Sequence, residues 1–185
     1  MRKLIWIPVL VLAFQCNCLA VFADESTYKI APGDVLEISV WKDESLSREV
    51  VVPPDGVISF PLAGDIASTG MTVTQLRNIV TDRLIEYVPD ATVTVLIKSI
   101  NSLKAYVIGN VNNPGEFDIT MNTTVMQVLA MARGLNPFAA TTKVHILRQR
   151  KMITVTIPFN YKQVEKGQNL KQNITLKRGD VLVVP

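Results

Sequence analysis

Residues 32–66, PGDVLEISVWKDESLSREVVVPPDGVISFPLAGDI, decide the fold of the first half of the chain, and part of the stretch returns as RGDVLVVP at residues 178–185. In each copy a Gly-Asp pair precedes a run of Val and Leu. Glycine tolerates the backbone of a tight turn, and the aspartate after it can accept hydrogen bonds from nearby amides. The sequence therefore predicts one local structure at two places, a tight turn that leads into a buried strand.

The residues around the first copy predict several strands. Pro54-Asp55-Gly56 is typical of a turn, which we interpret as closing a hairpin between the second and third strands. Asp43 and Glu44 are interpreted as an exposed loop, and residues 61–64 as a short extended segment. The predicted strands are residues 35–41, 48–52, 57–60 and 91–97.

A helix is predicted between the third and fourth of these strands. Thr72 and Gln75 have the spacing of a capping box, which satisfies amide groups at a helix start. Apolar side chains then recur at helical spacing, and Pro89 marks the end. The apolar positions are Leu76, Ile79, Val80 and Leu84.

The second half repeats this order of hairpin, capped helix and strands. Residues 104–108 and 116–119 predict a hairpin, Thr124 and Gln127 a second capping box, and Gly134 a left-handed helix stop. Later strands are predicted at residues 143–147, 153–157, 173–176 and the C-terminus, with a basic turn at 148–151 and a short helix or loop at 160–166. The predicted fold class is α+β, with two small mixed-sheet domains and one main helix in each.

The N-terminus has the layout of a secretory signal peptide, residues 1–23. Arg2 and Lys3 precede an apolar run, and Ala23 supplies a small residue before the cut. Lipidation of Cys16 or Cys18 is the alternative. Gln15 and Asn17 precede these cysteines, where a small residue is usual, so we expect export to the periplasm without lipidation.

Charge is distributed unevenly along the chain. Residues 24–100 hold 6 basic and 12 acidic side chains, whereas residues 101–185 hold 11 basic and 4 acidic ones. This asymmetry favours either self-association or an anionic partner, and two ordinary solvated surfaces are an equally good interpretation.

Several spaced motifs in the first half resemble the polysaccharide biosynthesis/export domain of Wza-type proteins, over residues 28–98. The second half, residues 103–185, resembles the soluble-ligand-binding β-grasp (SLBB) domain that follows it in that family. Most of the motif residues suit a scaffold role, because glycine and aspartate are needed at tight turns. The motif residues are Pro32, Gly33, Asp34, Pro54, Asp55, Gly56, Pro61, Gly64, Gly109, Pro114, Gly115, Gly179 and Asp180.

The resemblance implies a function in exopolysaccharide or capsule export. The expected partners are other copies of the chain in a ring, an inner-membrane co-polymerase, an outer-membrane pore protein and the polysaccharide. Longer family members have a C-terminal membrane-crossing helix, which we expect this short form to lack. The alternative is a monomeric carbohydrate-binding or adaptor module docking on the co-polymerase.

Enzymatic and nucleic-acid functions are disfavoured. The only histidine, His145, lies in an apolar strand, and neither a metal-ligand cluster nor a catalytic motif accompanies it. No cofactor is expected, and the basic residues are not interleaved with aromatic ones as in nucleic-acid binders. Arg148, Arg150 and Lys151 are the candidate contacts for polysaccharide or a neighbouring subunit, although a solvated hairpin tip is the simpler interpretation.

Overall fold

The computed structural model describes residues 28–185, so the predicted signal peptide and both cysteines lie outside the described residues. Two separate hydrophobic cores are present. One is built from side chains between Ile30 and Val95, and the other from side chains between Ala105 and Val184. We refer to residues 28–98 as the first unit and to residues 103–185 as the second unit.

The first unit contains two antiparallel sheets and one helix. Three strands pair in the order β2-β1-β5, and a separate hairpin pairs β3 with β4. Helix α1 packs beside β5, and the core lies between them. The elements are β1 (Val35–Val40), β2 (Asp43–Val51), β3 (Val57–Phe60), β4 (Gly64–Ala67), α1 (Val73–Leu84) and β5 (Val93–Ser99).

Helix α1 begins as predicted. The Thr72 hydroxyl accepts from the Gln75 amide at 3.2 Å, while the Gln75 side chain accepts from the Thr72 amide at 2.9 Å, so the capping box is complete. Three of the apolar positions, Leu76, Val80 and Leu84, are buried in the first core. The helix ends at Leu84, five residues before Pro89, so proline is not its direct stop.

The predicted hairpin through Pro54 is wrong. Strand β2 pairs with β1 across the two-residue connection Trp41-Lys42, and β3 pairs with β4 instead. Pro53 and Pro54 lack amide hydrogens, so a strand cannot continue its ladder through them. The chain therefore changes sheets at this turn.

Two local predictions in the same region also fail. Asp43 and Glu44 belong to strand β2, because the tight connection at 41–42 starts the pairing immediately, with Val40 opposite Asp43. Residues 61–63 form the turn of the β3–β4 hairpin, since Phe60 pairs with Gly64. Left-handed backbones at Leu62 and Gly64 make that turn tight.

The second unit is a five-stranded mixed sheet in the order β7-β6-β10-β8-β9. Strand β10 runs parallel to β6 and antiparallel to β8, and helix α2 packs over the inner face. This is a β-grasp arrangement, and the predicted α+β class is confirmed. The elements are β6 (Lys104–Gly109), β7 (Gly115–Asp118), α2 (Val125–Met131), β8 (Val144–Arg150), β9 (Ile153–Phe159), α3 (Tyr161–Glu165), a 3-10 helix (Leu170–Gln172) and β10 (Val181–Val184).

Helix α2 also starts and stops where predicted. The Thr124 amide donates to Gln127 Oε1 at 2.7 Å, which repeats the cap of α1. Gly134 has a left-handed backbone, φ 79°, and its amide donates to the Leu129 carbonyl at 2.8 Å. Both ends of the helix are therefore set by local chemistry that the sequence displays.

Two predictions in the second unit are wrong. The turn between β8 and β9 is Lys151-Met152, not residues 148–151, because Arg150 still pairs with Ile153. Residues 173–176 form no strand, and the pairing there is a single bridge between Thr124 and Thr175. A 3-10 helix directly before this segment bends the chain away from an extended path.

We predict that Gly109→Ala severely destabilises the second unit. A Cβ there would lie 2.0 Å from the Val184 carbonyl oxygen, so β6 and β10 would have to separate. Gly167→Ala is the matched control, since its φ of +73° is similarly strained but nothing lies within 4 Å. We expect a loss of about 1–2 kcal/mol in the free energy of unfolding for the control, and a clearly larger loss for Gly109→Ala, both measured by urea denaturation. Equal losses would contradict the close approach.

Candidate functional site

The first Gly-Asp turn holds a buried carboxylate. Gly33 has φ 93°, and the Asp34 amide donates back to the Ala31 carbonyl at 3.2 Å. Asp34 is fully buried, and its Oδ2 accepts from the Ala31 amide at 2.9 Å. Its Oδ1 accepts from the Ser102 amide at 3.2 Å, across the connection between the two units. The carboxylate thus ties the turn to the linker.

The second Gly-Asp turn repeats this geometry. Gly179 has φ 77°, the Asp180 amide donates to the Lys177 carbonyl at 3.0 Å, and Asp180 Oδ2 accepts from the Lys177 amide at 2.7 Å. Asp180 is almost fully buried. Here Arg148 supplies the remaining donors, with Nε 2.9 Å from Oδ1 and Nη2 2.6 Å from Oδ2.

Each turn also forms two backbone hydrogen bonds to a neighbouring strand, which is antiparallel in the first unit and parallel in the second. The Gly33 amide donates to the Val52 carbonyl and the Asp34 carbonyl accepts from the Val52 amide. In the second unit, the Gly179 amide donates to the Lys104 carbonyl and the Asp180 carbonyl accepts from Tyr106. The repeated sequence therefore encodes a repeated structure, with one strand bound to each turn.

The two turns lie next to each other at the junction of the units. Tyr28 donates its hydroxyl proton to Asp34 Oδ2, so its oxygen is left to accept from the Ser102 hydroxyl, 3.0 Å away. Arg178, inside the second turn, places Nη2 3.5 Å from the Tyr28 oxygen and 3.4 Å from the Lys29 carbonyl. We call Tyr28, Asp34, Ser102 and Arg178 the junction cluster.

The environment of the junction cluster changes the acidity of its phenol. Burial, reinforced by the hydrogen bond to Asp34, raises the pKa of Tyr28 from 10.0 to about 12. The phenol therefore stays neutral as a donor, which suits its position beside a buried carboxylate.

Arg148 is not a surface contact, which corrects its assignment to a basic turn. It lies within β8, is largely buried, and uses its guanidinium on Asp180 and on the Thr175 carbonyl at 3.0 Å. Arg150 and Lys151 are exposed at the end of the hairpin. The alternation Val144, Ile146, Arg148 on the inner side of β8 is the sequence signal that identifies Arg148 as inward-facing.

The other motif residues serve turns away from the junction cluster. Asp55 Oδ1 accepts from the Val57 amide at 3.1 Å, and the Gly56 carbonyl accepts from both the amide and the hydroxyl of Ser68. Pro61 and Gly64 belong to the β3–β4 turn, while Gly109, Pro114 and Gly115 belong to the β6–β7 connection. Their contacts within the described residues are those of a scaffold.

The outer face of the five-stranded sheet is apolar over its three central strands. Register places Tyr106, Val181 and Leu147 in one row across three strands, and Ile108, Val183 and His145 in the next. Tyr106 and Ile108 are 39% and 48% exposed. Solvated sheet faces are normally polar, so this face has the composition of a surface that another layer covers.

Within residues 28–185, these features have no metal-binding cluster beside them. Among residues 28–185, no group of three or more His, Asp or Glu side chains is arranged to hold a metal ion. Across the same residues, no helix has the length and apolar character needed to cross a membrane. His145 Nδ1 lies 3.1 Å from the Lys143 carbonyl, a local contact only.

Comparison with known proteins matches both units to family models. Residues 23–98 match the polysaccharide biosynthesis/export protein family, and residues 104–156 match the SLBB domain. The EPS I polysaccharide export outer membrane protein of Ralstonia nicotianae is 27% identical over 88% of this chain and 48% of its own length. The capsule polysaccharide export outer membrane protein of Neisseria meningitidis serogroup A is 25% identical over 86% of this chain and 44% of its own length.

A third relative is the polysialic acid transport protein of Escherichia coli, 28% identical over 60% of this chain and 20% of its own length. The chain therefore spans about half or less of the length of these relatives.

Sequence reasoning did not identify Tyr28, Ser102 and Arg178 as junction residues. Tyr28 and Arg178 stand 150 positions apart, and no local pattern links them.

We predict that Arg148→Met destabilises the protein by about 3–5 kcal/mol, because Asp180 would remain buried without its cation. Arg150→Met, two positions along the same strand and exposed, should change the free energy of unfolding by no more than about 0.5 kcal/mol. Urea denaturation of both variants gives the comparison. Near-equal unfolding free energies for the two variants would show that the buried Arg148–Asp180 pair does not stabilise the protein.

We also predict that Tyr28 ionises at a higher pH than an ordinary tyrosine. Its folded-state pKa, about 12, exceeds its ordinary value of 10.0, so the stabilisation it provides is complete below pH 10 and disappears as the pH rises through 12. The ultraviolet absorbance of phenolate should show a late step that Tyr28→Phe removes. Tyr87→Phe, at an exposed tyrosine, should leave that step in place; its loss there would contradict the assignment.

Proposed function

We propose that the chain, whose residues 23–98 match the polysaccharide biosynthesis/export family and whose residues 104–156 match the SLBB domain, is a periplasmic component of an exopolysaccharide or capsule export machine. In this proposal copies of the chain assemble into a ring through which the polymer moves toward the outer membrane. In this role the protein forms a passage for the polymer and catalyses no reaction on it. The relatives' names, which describe export outer membrane proteins, support the process and the location.

The uneven charge of the two units is the main observation that supports assembly into a ring. Acidic side chains dominate the first unit and basic ones the second, and the buried Arg148–Asp180 pair does not alter this balance. When one copy offers its first unit to the second unit of its neighbour, opposite charges meet at each contact. Such a head-to-side contact uses different surfaces on the two copies, so it closes into a ring when the rotation permits.

The junction cluster supports the same proposal. A ring of fixed size needs a constant angle between successive contacts, and therefore a constant arrangement of the two units within each copy. Asp34 and Tyr28 bind Ser102 of the linker, and Arg178 of the second unit contacts the Tyr28 oxygen and the Lys29 carbonyl of the first unit. Such a connection restricts motion of one unit against the other.

A second candidate function is an adaptor that docks on the inner-membrane co-polymerase as a monomer. The apolar outer face of the five-stranded sheet favours it, because such a face would be covered by a partner protein as readily as by another copy. The polysaccharide itself is a poorer occupant for the part of this face on β6, β10 and β8, where His145 is the most polar member of the two rows.

We predict that the full chain, purified from the envelope of its source bacterium, forms closed rings. Light scattering should give a mass several times that of one chain, and electron microscopy should show rings. Raising the salt concentration should weaken assembly, since exposed charges are screened beyond about 8–10 Å at physiological ionic strength.

The same chain should restore surface polysaccharide to a strain from which its gene has been deleted. A purified protein that stays monomeric at low salt, yet restores export, would replace the ring with the adaptor. Failure to restore export would remove both candidates.

A further inference from the structure

The end of the β8–β9 hairpin is an apolar projection with two positive charges. Met152 is 95% exposed and Ile153 is 68% exposed, while Arg150 and Lys151 stand beside them. Gln149 holds the shape of this end, because its Nε2 donates to the Lys151 carbonyl at 2.9 Å and its Oε1 accepts from Thr154 at 2.7 Å. We call residues 150–153 the basic tip.

A pocket of matching character lies on the first unit, between the end of α1 and the β3–β4 turn. Its volume is about 310 Å³, which is ample for a methionine side chain. Leu62 and Tyr87, 49% and 59% exposed, form its apolar walls. We call it the acidic pocket, and its lining residues are Leu62, Ala63, Asp82, Arg83, Glu86 and Tyr87.

The charge available at the acidic pocket is negative despite Arg83. Arg83 Nη1 is 2.7 Å from both the Ala63 and the Asp65 carbonyl oxygens, so this nitrogen is already bound, and two carboxylates against one guanidinium leave the lining negative. Asp82 and Glu86 form no ion pair with any of residues 28–185. Their carboxylates remain available to a cationic partner.

The tip and the pocket do not meet within one chain. No residue of the second unit lines the pocket, and Met152 is almost entirely exposed. Helix α1 starts beside the junction, where the Ile30 amide donates to the Met71 carbonyl at 2.9 Å, and its 12 residues carry its end about 18 Å away. The basic tip follows strand β8, whose Arg148 binds Asp180 of the second unit.

We propose that the basic tip of one copy inserts into the acidic pocket of the next, with Met152 between Leu62 and Tyr87. Arg150 and Lys151 then face Asp82 and Glu86. The inference rests on the proposed function, because it names the contact by which the ring forms. The contact is heterologous, so an open row of copies keeps a free tip at one end and a free pocket at the other until the ring closes.

Charge reversal on each side tests this contact in the full chain. R150E/K151E alone and D82K/E86K alone should each remove assembly, seen as a fall from the ring mass to that of one chain. A mixture of the two variants should assemble again, because each reversed tip then meets a reversed pocket. K162E/K166E, the same charge change at exposed lysines on and beside α3, is the matched control and should assemble normally.

Met152→Ser tests the apolar part separately and should weaken assembly without changing charge. Thermal unfolding at high salt, where the unchanged chain is also dissociated, should be the same for every variant, since all the altered side chains are exposed.

Several results would overturn the inference. Rings of unchanged mass in either charge-reversed variant would overturn the contact and leave the proposed function standing. Monomeric variants that fail to assemble when mixed would show that tip and pocket are not partners. D82K/E86K rings of normal mass that have lost binding to the native polymer would make the pocket a saccharide site. An unchanged chain that never assembles would refute the ring itself.

Discussion

Two aspartate carboxylates, each buried directly after a left-handed glycine, are the constraint on which the rest of the structure depends. A buried carboxylate is costly unless donors surround it, and each turn provides an amide three residues earlier. The remaining donors come from outside the turns. Asp34 accepts from Tyr28 and Ser102, and Asp180 accepts from Arg148. Hydrogen bonding to these two carboxylates therefore holds the linker and the start of the first unit at one turn, and strand β8 of the second unit at the other.

This arrangement links the fold to the proposed function. The cluster at Asp34 joins the first unit to the linker, and Arg178 joins the second Gly-Asp turn to Tyr28 and Lys29. Units held in one orientation present their surfaces in one orientation, which a closed ring requires. In the proposed ring, the basic tip of each copy then meets the acidic pocket of the next copy, always in the same direction around the ring.

Local chemistry made much of the fold predictable. Both capping boxes, the left-handed stop at Gly134 and the alternation in β5 depend on residues a few positions apart, and all appear in the structure. Two of the wrong predictions concern partners. The hairpin through Pro54 and the basic turn containing Arg148 each assumed that neighbouring strands pair or that neighbouring charges share a surface.

The sequence by itself determined the α+β class, the two main helices with their caps, the two Gly-Asp turns and the resemblance to polysaccharide export proteins. The tertiary structure alone decided which strands pair, that Arg148 is the partner of Asp180, and that Tyr28 and Arg178 meet at the junction. The physical reason is the distance along the chain over which each effect acts. Turns and caps are satisfied within four residues, whereas a buried charge takes its donors from any strand that packing brings close.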